Sequence, residues 1–252
     1  IDRTDGFVVQ QWLYCVIAYY LDFLPVWSYS AFAMAQVVVL AILTNILLKQ
    51  RGVSGYKSYI TIGVSLVVGS LYIFTHRPET ATLILLISEC IALEKFRSSS
   101  KSRYLIWLPV LMLIEMNIHG SMWPMHYAIL AAYMVPAFYF KKAKCTAIFL
   151  SWKKLLPYII AMTAVMFVNP YGWRCITYSV QSMLTGAFNK LEIAEMMVPY
   201  VFSPSTCALA IAVFFLFFIV KYHYIDSIAM NMALGFTALS LFSYRHVMFS
   251  YI

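Results

Sequence analysis

From Trp27 to Leu48 the chain carries no charged side chain, and that run restricts its fold more than any other feature. About 20 apolar residues in an α-helix span ~30 Å, the thickness of a bilayer's hydrocarbon core. Further apolar runs follow at 59–75, 79–93, 104–118, 122–140, 155–168, 204–220 and 227–243. Hydrophobic residues make up 63% of the 252 positions and charged residues 11%, with a mean hydropathy of +0.79. A soluble domain carries about 45–50% and about 25% respectively, so a globular core of this size has too little polar surface to cover it. The fold class expected is all-α: a polytopic transmembrane helix bundle of about eight spans. An N-terminal interfacial helix precedes it within 7–24, where Gln10, Gln11 and Asp22 interrupt Trp12, Tyr14, Tyr19 and Tyr20. One transmembrane domain is expected over 1–252, with an outer-face tail and interfacial helix at 1–26. The bundle occupies 27–252 and includes an outer loop at about 170–203. The chain opens at Ile1 without an initiator Met or a signal-peptide pattern and stops inside an apolar run at Ile252. It is therefore expected to be truncated at both ends.

Loop charge orients the spans. With the loop around Lys49, Arg51 and Lys57 taken as cytoplasmic and the spans alternating, five of the 18 Lys and Arg residues fall outside: Arg3, Arg77, Arg174, Lys190 and Arg245. The rest fall inside, as the positive-inside rule requires. Anionic lipid beside basic loops then accounts for the net charge of +8, and no nucleic-acid partner is needed. The five cysteines (Cys15, Cys90, Cys145, Cys175 and Cys207) show neither CxxC nor Cys/His ligand spacing and read as core or lipid-facing thiols. No metal site, Gly-rich phosphate loop, GxSxG or HExxH is present in the sequence.

The unusual polar residues collect on the outer side. His76, Arg77, Pro78 and Glu79 form a tight turn, with Pro78 and Glu79 suited to a helix start and the Arg77 guanidinium suited to an anionic group. Glu115, Asn117, His119 and Gly120 follow at a helix mouth, with Trp123, Pro124 and His126 just beyond. Glu115 and His119 are spaced to share one helical face, and such groups are costly in a membrane unless paired or wet. Asn169, Pro170, Tyr171 and Gly172 spell a turn. The polar stretch after it, with Lys190, Glu192 and Glu195, reads as an outer loop with a surface helix. Tyr244, Arg245 and His246 close the last span. Glu89 is the one carboxylate well inside a span: a functional candidate by position, or instead a structural group paired with Ser, Thr or Tyr of a neighbouring helix.

Gln11, Trp12 and Leu13 before an aromatic helix, the Arg77–Pro78 pair at a helix start, the Asn117-x-His119-Gly120 helix end, the Asn169-to-Gly172 turn, Glu195 in the next loop and the late Arg245–His246 pair occur in series. That series resembles bacterial membrane glycosyltransferases of the GT-C superfamily, in the subgroup with dolichyl-phosphate-mannose-mannosyltransferase-like organisation. Glu115 and Met196 stand where Trp is expected in that pattern. The resemblance implies a multi-pass protein of the bacterial plasma (inner) membrane that binds a polyprenyl-phosphate sugar from the outer face. A carboxylate base would activate an acceptor hydroxyl, and the sugar would transfer with inversion. Membrane lipid and the lipid-linked sugar are the implied partners. The resemblance fixes neither a cofactor nor a divalent metal. It places the catalytic base in a first outer loop upstream of Ile1, so the chain alone is expected to be inactive. Arg77, Arg245, His246 and His119 are the candidates to stabilise the leaving phosphate. Glu79 stands beside Arg77 in the expected substrate site, and Asn117, Tyr171 and Glu195 would shape the sugar or acceptor pocket. A secondary transporter or flippase-like protein is the alternative, with Glu89 as its strongest feature.

Overall fold

Every regular element among the described residues is helical. The computed structural model describes residues 8–73, 78–135, 150–184 and the positions Ile228, Asn231 and Met232. The helices are α1 (Trp12–Leu21), α2 (Trp27–Gln50), α3 (Tyr56–Ile73), α4 (Glu79–Ser99), α5 (Trp107–Ile118), α6 (Trp123–Met134), α7 (Trp152–Val165) and α8 (Trp173–Leu184). A 3-10 turn, Ser102–Tyr104, links α4 to α5. The chain divides into two compact units, Ile1–His126 with Lys153–Leu184 and Tyr127–Trp152 with Thr185–Ile252.

In the first unit α4 is the central helix, packed against α2, α3 and α5, while α1 lies on α5 and α2. Its position follows from an apolar sequence with no solvent stripe: Leu83, Leu86, Cys90, Leu93 and Phe96 are all buried. A fully buried leucine such as Leu86 or Leu93 contributes about 2 kcal/mol by transfer from water. α2 buries only a narrow stripe through Ala33, Val37 and Leu40, and leaves Met34, Val38, Val39 and Ile42 exposed.

Local chemistry sets the helix ends. α2 stops in a Schellman motif: Gly52 adopts φ +82°, Val53 N–H donates to Leu48 C=O at 2.9 Å and Gly52 N–H to Lys49 C=O at 3.1 Å. α4 begins after Pro78 with Glu79 in its first turn, where a carboxylate suits the helix dipole. It ends at Ser100, which takes a left-handed φ of 56° while its N–H reaches Phe96 C=O at 2.7 Å. Nearly two turns earlier, buried Glu94 accepts from Arg51 at 2.8 Å and from Arg97 at 2.7 and 2.9 Å, tying the ends of α2 and α4 together.

In the described part of the second unit, Ile129, Leu130 and Tyr133 of α6 are buried. Leu150 N–H donates to Tyr133 C=O at 3.0 Å. The Asn231 amide caps the end of α6, donating to Ala132 C=O at 3.1 Å and Val135 C=O at 2.7 Å. These are carbonyls that the helix itself leaves without partners.

The expected all-α class is what the described residues show. Several boundaries differ from the sequence reading. α4 continues six residues beyond the expected stop at Leu93, because Glu94 is neutralised by two guanidinium groups rather than left facing water. α5 starts at Trp107, not Tyr104, since Ser102–Tyr104 form the 3-10 turn. At 12, 12 and 14 residues, α5, α6 and α7 reach only ~18–21 Å, short of the ~30 Å hydrocarbon core. Among the described residues one helix, α2, is long and apolar enough to cross a membrane. The expected spans 204–220 and 227–243 lie outside the described residues, apart from Ile228, Asn231 and Met232.

Candidate functional site

The candidate motifs that lie within the described residues converge at one end of the first unit, where α4 starts and α5 stops. Trp12 Nε1–H donates to Asn117 Oδ1 at 3.0 Å. The Asn117 amide nitrogen donates in turn to Leu113 C=O at 2.8 Å and to Val168 C=O, just before the Asn169 turn, at 3.0 Å. Gly120 N–H donates to Gln10 C=O at 2.8 Å, and Gln10 Nε2 donates to Ser179 Oγ of α8 at 2.6 Å. The approach is close enough to need glycine: a Cβ on Gly120 would stand 2.8 Å from Cys175 Sγ, 3.0 Å from Met116 C=O and 3.2 Å from Gln10 C=O. Burial pushes the Cys175 thiol up to about 11, so it is a packing group rather than a nucleophile.

The Asn169 turn forms as its residues predict. Gly172 N–H donates to Asn169 C=O at 3.1 Å, the Asn169 carboxamide oxygen accepts from Tyr171 N–H at 2.9 Å, and Gly172 has a φ of +55°. Tyr171 is half-buried. Glu79 is buried at the head of α4, close enough to α1 for its charge to act on Tyr14. The Tyr14 phenol is held above its ordinary range mainly by burial; a Gln36 hydrogen bond opposes this and the Glu79 charge adds to it.

Behind this rim lies a second cluster whose members are almost wholly excluded from solvent. Thr82, Glu89, Glu115 and His126 are 0% exposed and His119 is 1% exposed. Thr82 Oγ1 donates to Glu115 Oε1 at 2.8 Å and lies 3.0 Å from His119 Nδ1. With its one hydrogen committed to Glu115, Thr82 accepts at the second contact, which makes His119 Nδ1 the protonated nitrogen. His126 Nδ1 is hydrogen-bonded to Glu89 Oε2, and His126 Nε2 lies 3.7 Å from Glu115 Oε2. Glu115 and His119 thus meet through Thr82. The helix ends at Ile118, and His119 sits at its cap with a φ of −150°.

Of the residues singled out from the sequence, Asn117, His119, Tyr171 and Glu79 belong to this unit. Arg77, Glu195, Arg245 and His246 lie outside the described residues. The partner of Glu89 is the His126 imidazole, not the expected hydroxyl of a neighbouring helix. The sequence reading put His126 at the outer mouth beside Trp123 and Pro124. Because α6 begins at Trp123, His126 instead stands one turn into the helix and is buried. Thr82 was overlooked altogether. The signal available was complementarity: one carboxylate within one apolar run and one imidazole within another each require a buried partner. No group of three or more His, Cys, Asp or Glu side chains among the described residues is placed to hold a metal ion. Comparison with protein families, with curated proteins and with solved structures finds no match for this chain.

Proposed function

We propose that the chain belongs to a polytopic protein of the bacterial plasma membrane that transfers a sugar from a polyprenyl-phosphate donor to an acceptor at the outer face, as GT-C enzymes do. The observation that carries this reading is the convergence of Gln10, Trp12, Asn117, Gly120 and the Asn169 turn at one end of one unit, although they are far apart in sequence. A membrane setting is supported by α2. Only 11% of its most apolar window is buried, whereas a soluble protein's core helix would be mostly covered, and lipid tails accommodate such a surface. In this reading Asn117 and His119, both committed to internal hydrogen bonds, shape the rim from behind. Arg77, Arg245 and His246 meet the leaving phosphate, and Tyr171, Glu79 and Glu195 border the sugar or acceptor.

The test is glycosyl transfer by the full-length protein in proteoliposomes, using a panel of polyprenyl-phosphate sugars. Transfer that falls by about 100-fold or more in Arg77→Ala and Arg245→Ala supports the phosphate role. Undiminished transfer in those variants removes it. A second reading, a secondary transporter or flippase-like protein, is favoured by the buried carboxylates and imidazoles of Glu89, His126 and Glu115. It takes precedence if folded protein transfers none of the panel.

A further inference from the structure

Two carboxylates and two imidazoles occupy the dry interior behind the rim, and their charge must be balanced there. With both carboxylates ionised and both imidazoles neutral, the cluster carries two negative charges. Isolated charges in such a medium are expensive, so neutrality requires two protons distributed over Glu89, Glu115, His126 and His119. More than one distribution satisfies this. A purely structural polar network gains most when every buried atom is bonded, yet Glu89 Oε1, Glu115 Oε2 and His126 Nε2 have no hydrogen-bond partner among the described residues. Two of these three face each other across 3.7 Å. Among the described residues, the surrounding helices supply no competing cation. Glu79 lies one turn before Thr82, and the charged groups acting on Glu89 and His126 are each other and Glu115. Arg51 and Glu94 are paired at the far end of α4, and Lys49 and Lys57 are exposed.

We propose that His119, Thr82, Glu115, His126 and Glu89 form a proton relay from the rim into the helix-packed interior, with the Glu115–His126 separation as its one open step. The first stage is a reversal of two hydrogen bonds. A doubly protonated His119 gives its Nδ1 proton to Thr82 Oγ1 as the threonine hydroxyl passes its own proton to Glu115 Oε1. His119 becomes neutral, Glu115 becomes a carboxylic acid, and Thr82 ends with one O–H pointing the other way. In the second stage the Glu115 carboxyl group turns so that its two oxygens exchange places, which carries Oε1–H to the side that faces His126 Nε2 across the 3.7 Å gap. His126 accepts there and releases its Nδ1 proton to Glu89 Oε2, so the imidazole ends neutral. The path runs ~10 Å along α4, from Thr82 to Glu89. It does not depend on sugar transfer, since the groups involved lie behind the rim and not on it.

Infrared difference spectroscopy on the protein in lipid vesicles, with a pH jump between about pH 9 and about pH 5, tests the relay. Acidification is expected to add a carboxylic-acid C=O band that is absent in Glu89→Gln and, because the path is cut, delayed in Glu115→Gln. Thr82→Val, nearly isosteric, is expected to slow the Glu89 band by about tenfold or more, ~1.4 kcal/mol in barrier. Thr82→Ser, which keeps the hydroxyl, retains the wild-type rate. Circular dichroism of the Val and Ser variants ties the comparison to folded protein. The relay is overturned by equal rates in Thr82→Val and wild type, by a band that survives in Glu89→Gln or is undelayed in Glu115→Gln, or by no band change over that interval.

Discussion

Besides Glu79 at its head, α4 buries two carboxylates in its second half, Glu89 and Glu94, and these two are neutralised by opposite means. Glu94 is held by two guanidinium groups at 2.7–2.9 Å whose side chains stay 18% and 22% exposed. Five residues earlier, Glu89 is held by an imidazole that is itself fully buried. Arginine is a cation at every accessible pH and its exposed edge keeps part of its hydration, so the Glu94 clasp has one charge state and acts as a fixed pin. An imidazole can gain or lose a proton where a guanidinium cannot. The Glu89–His126–Glu115 cluster therefore has several proton arrangements open to it and no permanent cation. A buried acid paired with arginine locks two helices. A buried acid paired with histidine leaves a choice, and choice is what a functional site requires.

The largest effect should come from deleting the imidazole. His126→Ala leaves Glu89 and Glu115 buried together without a base, and we expect a loss of about 3–5 kcal/mol in unfolding free energy, measured by denaturant titration in detergent micelles. Glu94→Ala should cost less, about 2–3 kcal/mol, because Arg51 and Arg97 can turn towards water once the carboxylate is gone. Equal losses for the two variants would erase the distinction between a dry cluster and a hydrated clasp. Gly120→Ala perturbs the rim without changing any charge. Its methyl group meets a backbone carbonyl at 3.0 Å as well as a thiol at 2.8 Å, so we expect a loss of about 1–3 kcal/mol. Adding Cys175→Ala should recover part of that loss, as the thiol contact goes and the carbonyl contact stays. No recovery would mean that the backbone approach to Met116 and Gln10 dominates.

The sequence revealed periodic and punctuating features well and three-dimensional pairings poorly. Trp27 as the start of α2, Glu79 as the start of α4 and the Asn169 turn follow from apolar run length, a Pro–Glu pair and Asn-Pro-x-Gly chemistry. These are local signals, and the fold respects them. The stop of α4 was misplaced because Glu94 and Lys95 look like loop charges until Arg51, far away in sequence, is known to meet Glu94. The same blindness moved His126 to the surface and missed Thr82, whose hydroxyl has no distinguishing pattern in an apolar run. A cluster built from three helices carries no periodicity. What can be read in advance is only that each polar group inside an apolar helix needs a partner.

The smallest effect sharpens the comparison at the clasp end of α4, where the helix stop can be changed while every charge stays in place. Ser100 occupies the left-handed region at φ 56°, which costs an L-residue with a side chain about 1–2 kcal/mol and costs glycine little. Ser100→Gly should therefore raise unfolding free energy, and the greater freedom of glycine in the unfolded chain trims the gain to about 0.5–1 kcal/mol. The Glu94 contacts sit within two turns of this stop, so a firmer stop should also slow hydrogen exchange of the amides from Glu94 to Ser99. If the clasp is a fixed pin, the exchange of amides around Glu89 should not change. Slowed exchange at Glu89 as well would show that the two clusters behave as one cooperative element, and the contrast between pin and relay would then be one of chemistry alone.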